Sequence, residues 1–189
     1  MKKKILAMIL AASLAMGCVP AINNATGTII TAEAAKKKKV PSVKKIRNAI
    51  AAKYGDSYAP NVALTKDEIK EKYGISTSWY TSISAEVPMI SSNVDTLIIA
   101  KAKNKTAKKK IKNQLTKYRQ SLIDDSMQYP MNVFKIQASK VYVKGDFVFF
   151  IMLGFIDSKT EETGTDEQIL KAFKAQNQKA VSAINTLLK

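Results

Sequence analysis

An α+β fold is predicted: a four-stranded antiparallel sheet with elements in the order ααββαββα. Three observations carry that expectation. Four stretches repeat apolar residues at helical spacing, three of them behind recognisable cap signals, and two pairs of apolar segments are each joined by a turn-forming stretch. Phe147 to Leu153 is apolar at every position, whereas a strand with one wet face would alternate, so this strand is expected mid-sheet and covered on both sides. With 189 residues, 46% of them hydrophobic, the chain has enough apolar surface for one core and too little length for two.

Ser42 stands as an N-cap before Val43, Ile46, Ile50 and Tyr54, one stripe of a 3.6-residue helix, and Gly55 supplies the stop. Thr65-Lys66-Asp67-Glu68 has the capping-box pattern and opens a short helix carrying Ile69 and Tyr73 up to Gly74. Ile83, Ala85 and Val87 alternate with polar residues as a half-buried strand does, and Pro88 marks that strand as an edge or a bulge. A turn at Ser91-Ser92-Asn93 leads to a strand over Val94 to Ala102. Ala107, Ile111, Leu115, Tyr118 and Leu122 define a third helix over about Lys105 to Ile123. A third strand is expected within Ile136 to Val143, and Lys144-Gly145-Asp146 makes a hairpin turn into the apolar strand. Thr165-Asp166-Glu167-Gln168 is a second capping box, opening a helix whose stripe is Ile169, Phe173, Ala180, Ile184 and Leu187. The economical packing puts the last two helices on one sheet face and leaves the other to the first two helices or a partner subunit, so a homodimer is an open expectation.

The chain begins with Met1-Lys2-Lys3-Lys4 and an uncharged, largely apolar run from Ile5 to Val19, the n-region and h-region of an export signal. That run is shorter than the roughly 20 residues a membrane-spanning helix needs. Residues 1–21 are therefore expected to form a signal peptide, 22–41 a tether and 42–189 a single domain. Two processing readings stay open. Ala15-Met16-Gly17-Cys18 resembles a relaxed lipobox, in which cleavage after residue 17 exposes Cys18, the only cysteine, for lipid attachment. Val19-Pro20-Ala21 and Ala32-Glu33-Ala34 fit ordinary signal cleavage. Either way the expected location is outside the cytoplasm, on the outer membrane face as a lipoprotein or secreted.

Formal net charge is +16, an excess that attracts polyanions. Lys36 to Lys39 close the tether, and near an anionic membrane each adds roughly 1 kcal/mol of attraction. Thr96 to Ile123 holds no acidic residue while carrying Lys101, Lys103, Lys105, Lys108, Lys109, Lys110, Lys112, Lys117 and Arg119. An anionic membrane surface, a wall polymer or a protein partner could use this stripe; a solvated helix face is the plain alternative. Nucleic acid fits poorly, since only Tyr118 lies nearby to stack on bases.

The segments Val87 through Lys103, Gln128 through Lys135 and Phe147 through Gly154 resemble a family of exported, mostly lipid-anchored proteins of Gram-positive bacteria whose domain has no assigned function. The resemblance spans about residues 42–188 and implies an extracytoplasmic setting and a lipoprotein habit. It implies no activity.

A second reading places a ligand cleft, or an enzyme site, around Gln128, Tyr129, Asn132 and Asp95, where hydrogen-bonding side chains flank the rigid Pro130. The plain alternative is that Tyr129 plugs the core and Asn132 ties down backbone. Asp124-Asp125 reads as capping of the turn after the third helix, Glu161-Glu162 as loop charge and Asp166-Glu167 as helix N-terminal charge. Ser42-Val43-Lys44-Lys45 and Ser91-Ser92-Asn93 match two motifs of penicillin-recognising enzymes, but the third is absent and the chain is too small for that fold. There is no histidine, which excludes Ser-His and Cys-His catalysis and the common zinc sites. No cofactor or metal is expected. The favoured expectation is a non-enzymatic binding or structural module at the cell envelope.

Overall fold

The computed structural model describes residues 40–189. Cys18, the expected signal peptide 1–21 and the expected tether as far as Lys39 lie outside the described residues. Helix α1 (Val43–Ala51) is followed by a two-residue strand β1 (Val62–Ala63), α2 (Lys66–Tyr73), β2 (Tyr80–Val87), β3 (Thr96–Ala102), α3 (Lys105–Asp124), α4 (Pro130–Ala138), β4 (Lys140–Lys144), β5 (Phe147–Met152), α5 (Ser158–Thr163) and α6 (Asp166–Leu187). No helix among these residues is long and apolar enough to cross a membrane.

The fold is α+β with an antiparallel sheet, but the sheet has five strands rather than the expected four, in the order β1-β2-β3-β5-β4. The extra edge strand, β1, pairs Val62 with Val87 and Ala63 with Glu86; two residues are too few to show a period. Phe147 to Met152 is buried at every position between β3 and β4. The bulge anticipated near Pro88 sits at the other end of β2, where the register slips between Tyr80 and Ser82.

Helix placement also departs from expectation: the two long helices lie on opposite faces. Ile98, Ala100, Val148, Phe150 and Met152 meet Ala107, Ile111 and Leu115 of α3 together with Ile69 and Tyr73 of α2. Leu97, Ile99, Phe147, Phe149 and Ile151 meet Val43, Ile46 and Ile50 of α1 and Ala180, Val181, Ala183 and Ile184 of α6. Because β3 and β5 are apolar on both sides, each face needs a full layer, and each buried side chain of this size contributes roughly 1.5–3 kcal/mol. One short and one long helix per face supply it.

The anticipated caps form. Ser42 Oγ accepts from Lys45 N, and Thr65 and Thr165 close capping boxes with Glu68 and Gln168. Asp125 Oδ1 accepts from Met127 N at 2.9 Å, capping the turn after α3. Two further helices form where the sequence pattern predicts none. In α4, Pro130 occupies the first turn, where the missing N–H costs nothing. In α5, Asp157 is the N-cap and accepts from Thr160 N, so Glu161 and Glu162 lie on a helix.

Candidate functional site

Chemistry-bearing side chains gather at the end of the sheet where β3 begins and β5 ends, since Thr96 pairs with Met152. Asp95 sits just before β3, fully buried, and Asn93 Oδ1 fixes its backbone by accepting from Asp95 N at 2.9 Å. Its Oδ2 accepts from Gly154 N at 2.9 Å. Its Oδ1 is paired with the ammonium of Lys135, a residue of α4 whose side chain is only 6% exposed. Lys135 Nζ also lies 4.5 Å from the Phe155 ring centre and 5.8 Å from that of Phe173, so aromatic faces stand where water would otherwise solvate it. Burial pushes the Asp95 carboxyl above its ordinary pKa, with the Lys135 charge and the Gly154 N–H pulling the other way.

The shell around this pair is tied together by amides. Asn132 Nδ2 donates to Ser92 O at 2.9 Å, joining α4 to the β2–β3 connection. Asn177 of α6 accepts from Leu153 N and donates to Ala138 O, both at 2.9 Å. Gly154 has φ of +93°, and a Cβ there would meet Gln176 Oε1 at 2.9 Å and Tyr54 Cε1 at 3.0 Å, so only glycine fits. A cleft of about 130 Å³ opens beside the pair, lined in part by Ser92, Asn132, Lys135, Phe155, Glu161 and Phe173.

Of the four residues of the expected cleft, Asp95 and Asn132 belong to this end of the sheet and both are buried. Gln128 does not line the cleft; it borders a separate hollow and donates to Asp125 Oδ2 at 2.7 Å. Tyr129 is 62% exposed and plugs no core. Asn132 lies on α4. Lys135, Gly154 and Asn177 escaped the sequence reading. A lone lysine between Phe134 and Ile136, in an otherwise apolar segment, was the signal for the first.

The lysine stripe occupies the opposite end. Ala102 N donates to Asp146 O across the β4–β5 turn, and Lys108 Nζ donates to Gly145 O at 2.8 Å and lies 3.8 Å from Asp146. Lys103, Lys105, Lys109, Lys110 and Lys112 are exposed. Lys101 and Lys110 lie over the rings of Phe147 and Trp79, at 5.9 and 5.4 Å. Among the described residues, neither these two nor Lys103, Lys105, Lys109 and Lys112 forms an ion pair.

Neither the curated proteins nor the solved structures include a match to this chain. One family does match, over residues 53–153, from the end of the first helical segment through the apolar strand and the last residue before Gly154, thereby including Asp95, Asn132 and Lys135. The chain belongs to the family described as Domain of unknown function (DUF4358).

Proposed function

We propose that the protein is a non-enzymatic binding module of the cell envelope, working outside the cytoplasm and meeting a phosphate-rich anionic surface through the first half of α3. The observation that carries this reading is the row Lys105, Lys109, Lys110 and Lys112, exposed on one helix with Lys101 and Lys103 beside it and no acidic residue from Thr96 to Ile123. Asp146 is the acid drawn close, and it engages Lys108 alone. Such a row offers several weak contacts that add along an extended polyanion and are screened by salt.

The signal-like start of the chain supports the setting under either processing reading, lipid attachment at Cys18 or ordinary cleavage: lipid headgroups and wall polymers are the polyanions at hand there. The packed α/β/α layers hold α3 in place, and β3 sets Lys101 beside it. Changing Lys108, Lys109, Lys110 and Lys112 together to Gln reduces retention on anionic vesicles or wall polymer, and added salt reduces the wild-type signal similarly. Retention by the variant that equals wild type and ignores salt rejects this role for α3.

A further inference from the structure

Exposed apolar side chains are not scattered over this molecule. Apart from Val40, the large exposed hydrophobics among the described side chains are Met89 at 77%, Ile90 at 69%, Met127 at 88%, Tyr129 at 62% and Phe155 at 51%. They come from three separate connections, β2–β3, α3–α4 and β5–α5. The bond from Asn132 to Ser92 and the pairing of Lys135 with Asp95 bring those connections to the same end of the sheet. Apolar groups collected this way mark a surface that another molecule covers.

The charge there is opposite to that of α3. Residues 124–129 and 154–164 hold five exposed carboxylates, on Asp124, Asp125, Asp157, Glu161 and Glu162, against one lysine, Lys159. Lys135 adds no net charge to the cleft, because Asp95 cancels it. A 20-residue helix is about 30 Å long, so the lysines opening α3 stand far from the acids closing it. An anionic membrane is repelled by this end. A cleft of about 130 Å³ falls well below the roughly 300–1,000 Å³ of pockets that enclose drug-sized ligands and suits one apolar side chain resting on Phe155 and Phe173.

We infer that the Asp95 end of the sheet is a docking surface for a protein segment that places one large apolar side chain in the cleft beside Phe155 and sets lysine or arginine against Glu161 and its acidic neighbours. The exposed apolars Met89, Ile90 and Tyr129 on the neighbouring connections add apolar contact beyond that anchor, and the carboxylates set orientation. This surface is independent of α3, so the protein has two differently charged working ends.

The test is selection of a random-peptide display library on the immobilised protein, with the Glu161→Lys and Phe155→Ser variants used for counter-selection. Glu161→Lys alters an exposed charge and leaves the core intact. The expected winners carry a large apolar residue next to Lys or Arg and bind wild type at least about tenfold tighter than Glu161→Lys. Their affinity is unchanged by replacing the α3 lysines with Gln, which separates this surface from the polyanion reading. The inference is overturned by failure to enrich any sequence against the two variants, or by enrichment of acidic or purely apolar peptides. A self-association of the protein that Phe155→Ser abolishes overturns it in favour of a second copy. Vesicle binding that is lost in a Met89→Ser, Ile90→Ser double variant overturns it in favour of lipid.

Discussion

Lys135, in the middle of α4, places its ammonium against the carboxylate of Asp95 at the threshold of β3, and both side chains are almost wholly buried. Two charges withdrawn from water are held in place only because each answers the other, with Gly154 N–H and two aromatic rings in support. Removing one member therefore does more damage than removing both. Asp95→Ala or Lys135→Met alone is expected to cost about 3–5 kcal/mol, whereas the double change Asp95→Leu, Lys135→Met stays near wild type. Urea unfolding of the three variants reads this directly, and single variants as stable as wild type would show that water reaches the pair.

The same carboxyl links stability to pH. Burial holds Asp95 above its ordinary value, so in the window from about 3.9 up to its folded value the native state binds the extra proton. The stability this group contributes is then fully present below that window and is lost as pH rises through it. Glu68 works in the opposite sense. Its carboxylate accepts from the Thr65 backbone N–H and hydroxyl, which holds it below its ordinary value; its contribution is present above the unfolded value and lost as pH falls through the folded one. Site-resolved carboxyl titration by NMR should find the Asp95 midpoint above, and the Glu68 midpoint below, those of the unfolded chain. An Asp95 midpoint below the unfolded value would mean that Lys135 outweighs burial.

How far the molecule could be read from its sequence depended on whether an element carries its own local signal. The capping boxes at Thr65 and Thr165, the stripe Ala107-Ile111-Leu115 and the unbroken run from Phe147 are local patterns, and the elements they mark form. Helix α4 was hidden because Gln128-Tyr129-Pro130 has turn chemistry at the very point where a proline can open a helix. The assignment of helices to faces depends on two apolar periods of β3 and β5 being satisfied at once, which no single segment records. Site residues follow the same division. Asp95 stands out as a polar residue at the start of an apolar strand, and Asn132 as one of the hydrogen-bonding side chains flanking Pro130. Gly154 and Asn177 act across long sequence separations, 59 residues from Asp95 and 24 from Leu153, and nothing local announces such bonds.

A second ion pair on the α1 face gives a contrast in exposure. Arg47 Nε lies 3.0 and 2.9 Å from the two oxygens of Glu86, Tyr58 Oη donates to Glu86 Oε2 at 2.9 Å, and the guanidinium lies 4.8 Å from the Tyr58 ring centre. The side chains of Arg47 and Glu86 remain 29% and 14% exposed, so water can solvate what is left behind when one is removed. Glu86→Gln is expected to cost about 1–2 kcal/mol and Tyr58→Phe about 1 kcal/mol, less than either single change at the Asp95 pair. Thermal unfolding that ranks Glu86→Gln above Lys135→Met in damage would contradict the difference in burial on which this ordering rests.

Two glycines with positive φ separate backbone strain from steric clash. Gly145 has φ of +56° at the tip of the β4–β5 turn, with nothing within 4 Å of where a Cβ would stand. Gly145→Ala should therefore cost only the left-handed conformation, about 1–2 kcal/mol. Gly154 has φ of +93° and is closed in by Gln176 and Tyr54, with contacts of 2.9 to 3.0 Å to an added Cβ. The Tyr54 ring cannot withdraw freely, because its hydroxyl donates to Gln176 O at 2.8 Å and its ring belongs to the core on that face. Gly154→Ala must then displace the chain between β5 and α5, weakening the N–H bond that Asp95 Oδ2 receives. The expected result is a larger loss than at Gly145, at least about 3 kcal/mol, with a further rise in the Asp95 pKa as one interaction stabilising its charged form is lost. Equal stability losses at the two positions, with the Asp95 titration unmoved, would mean that the Gly154 backbone does not set the environment of the buried pair.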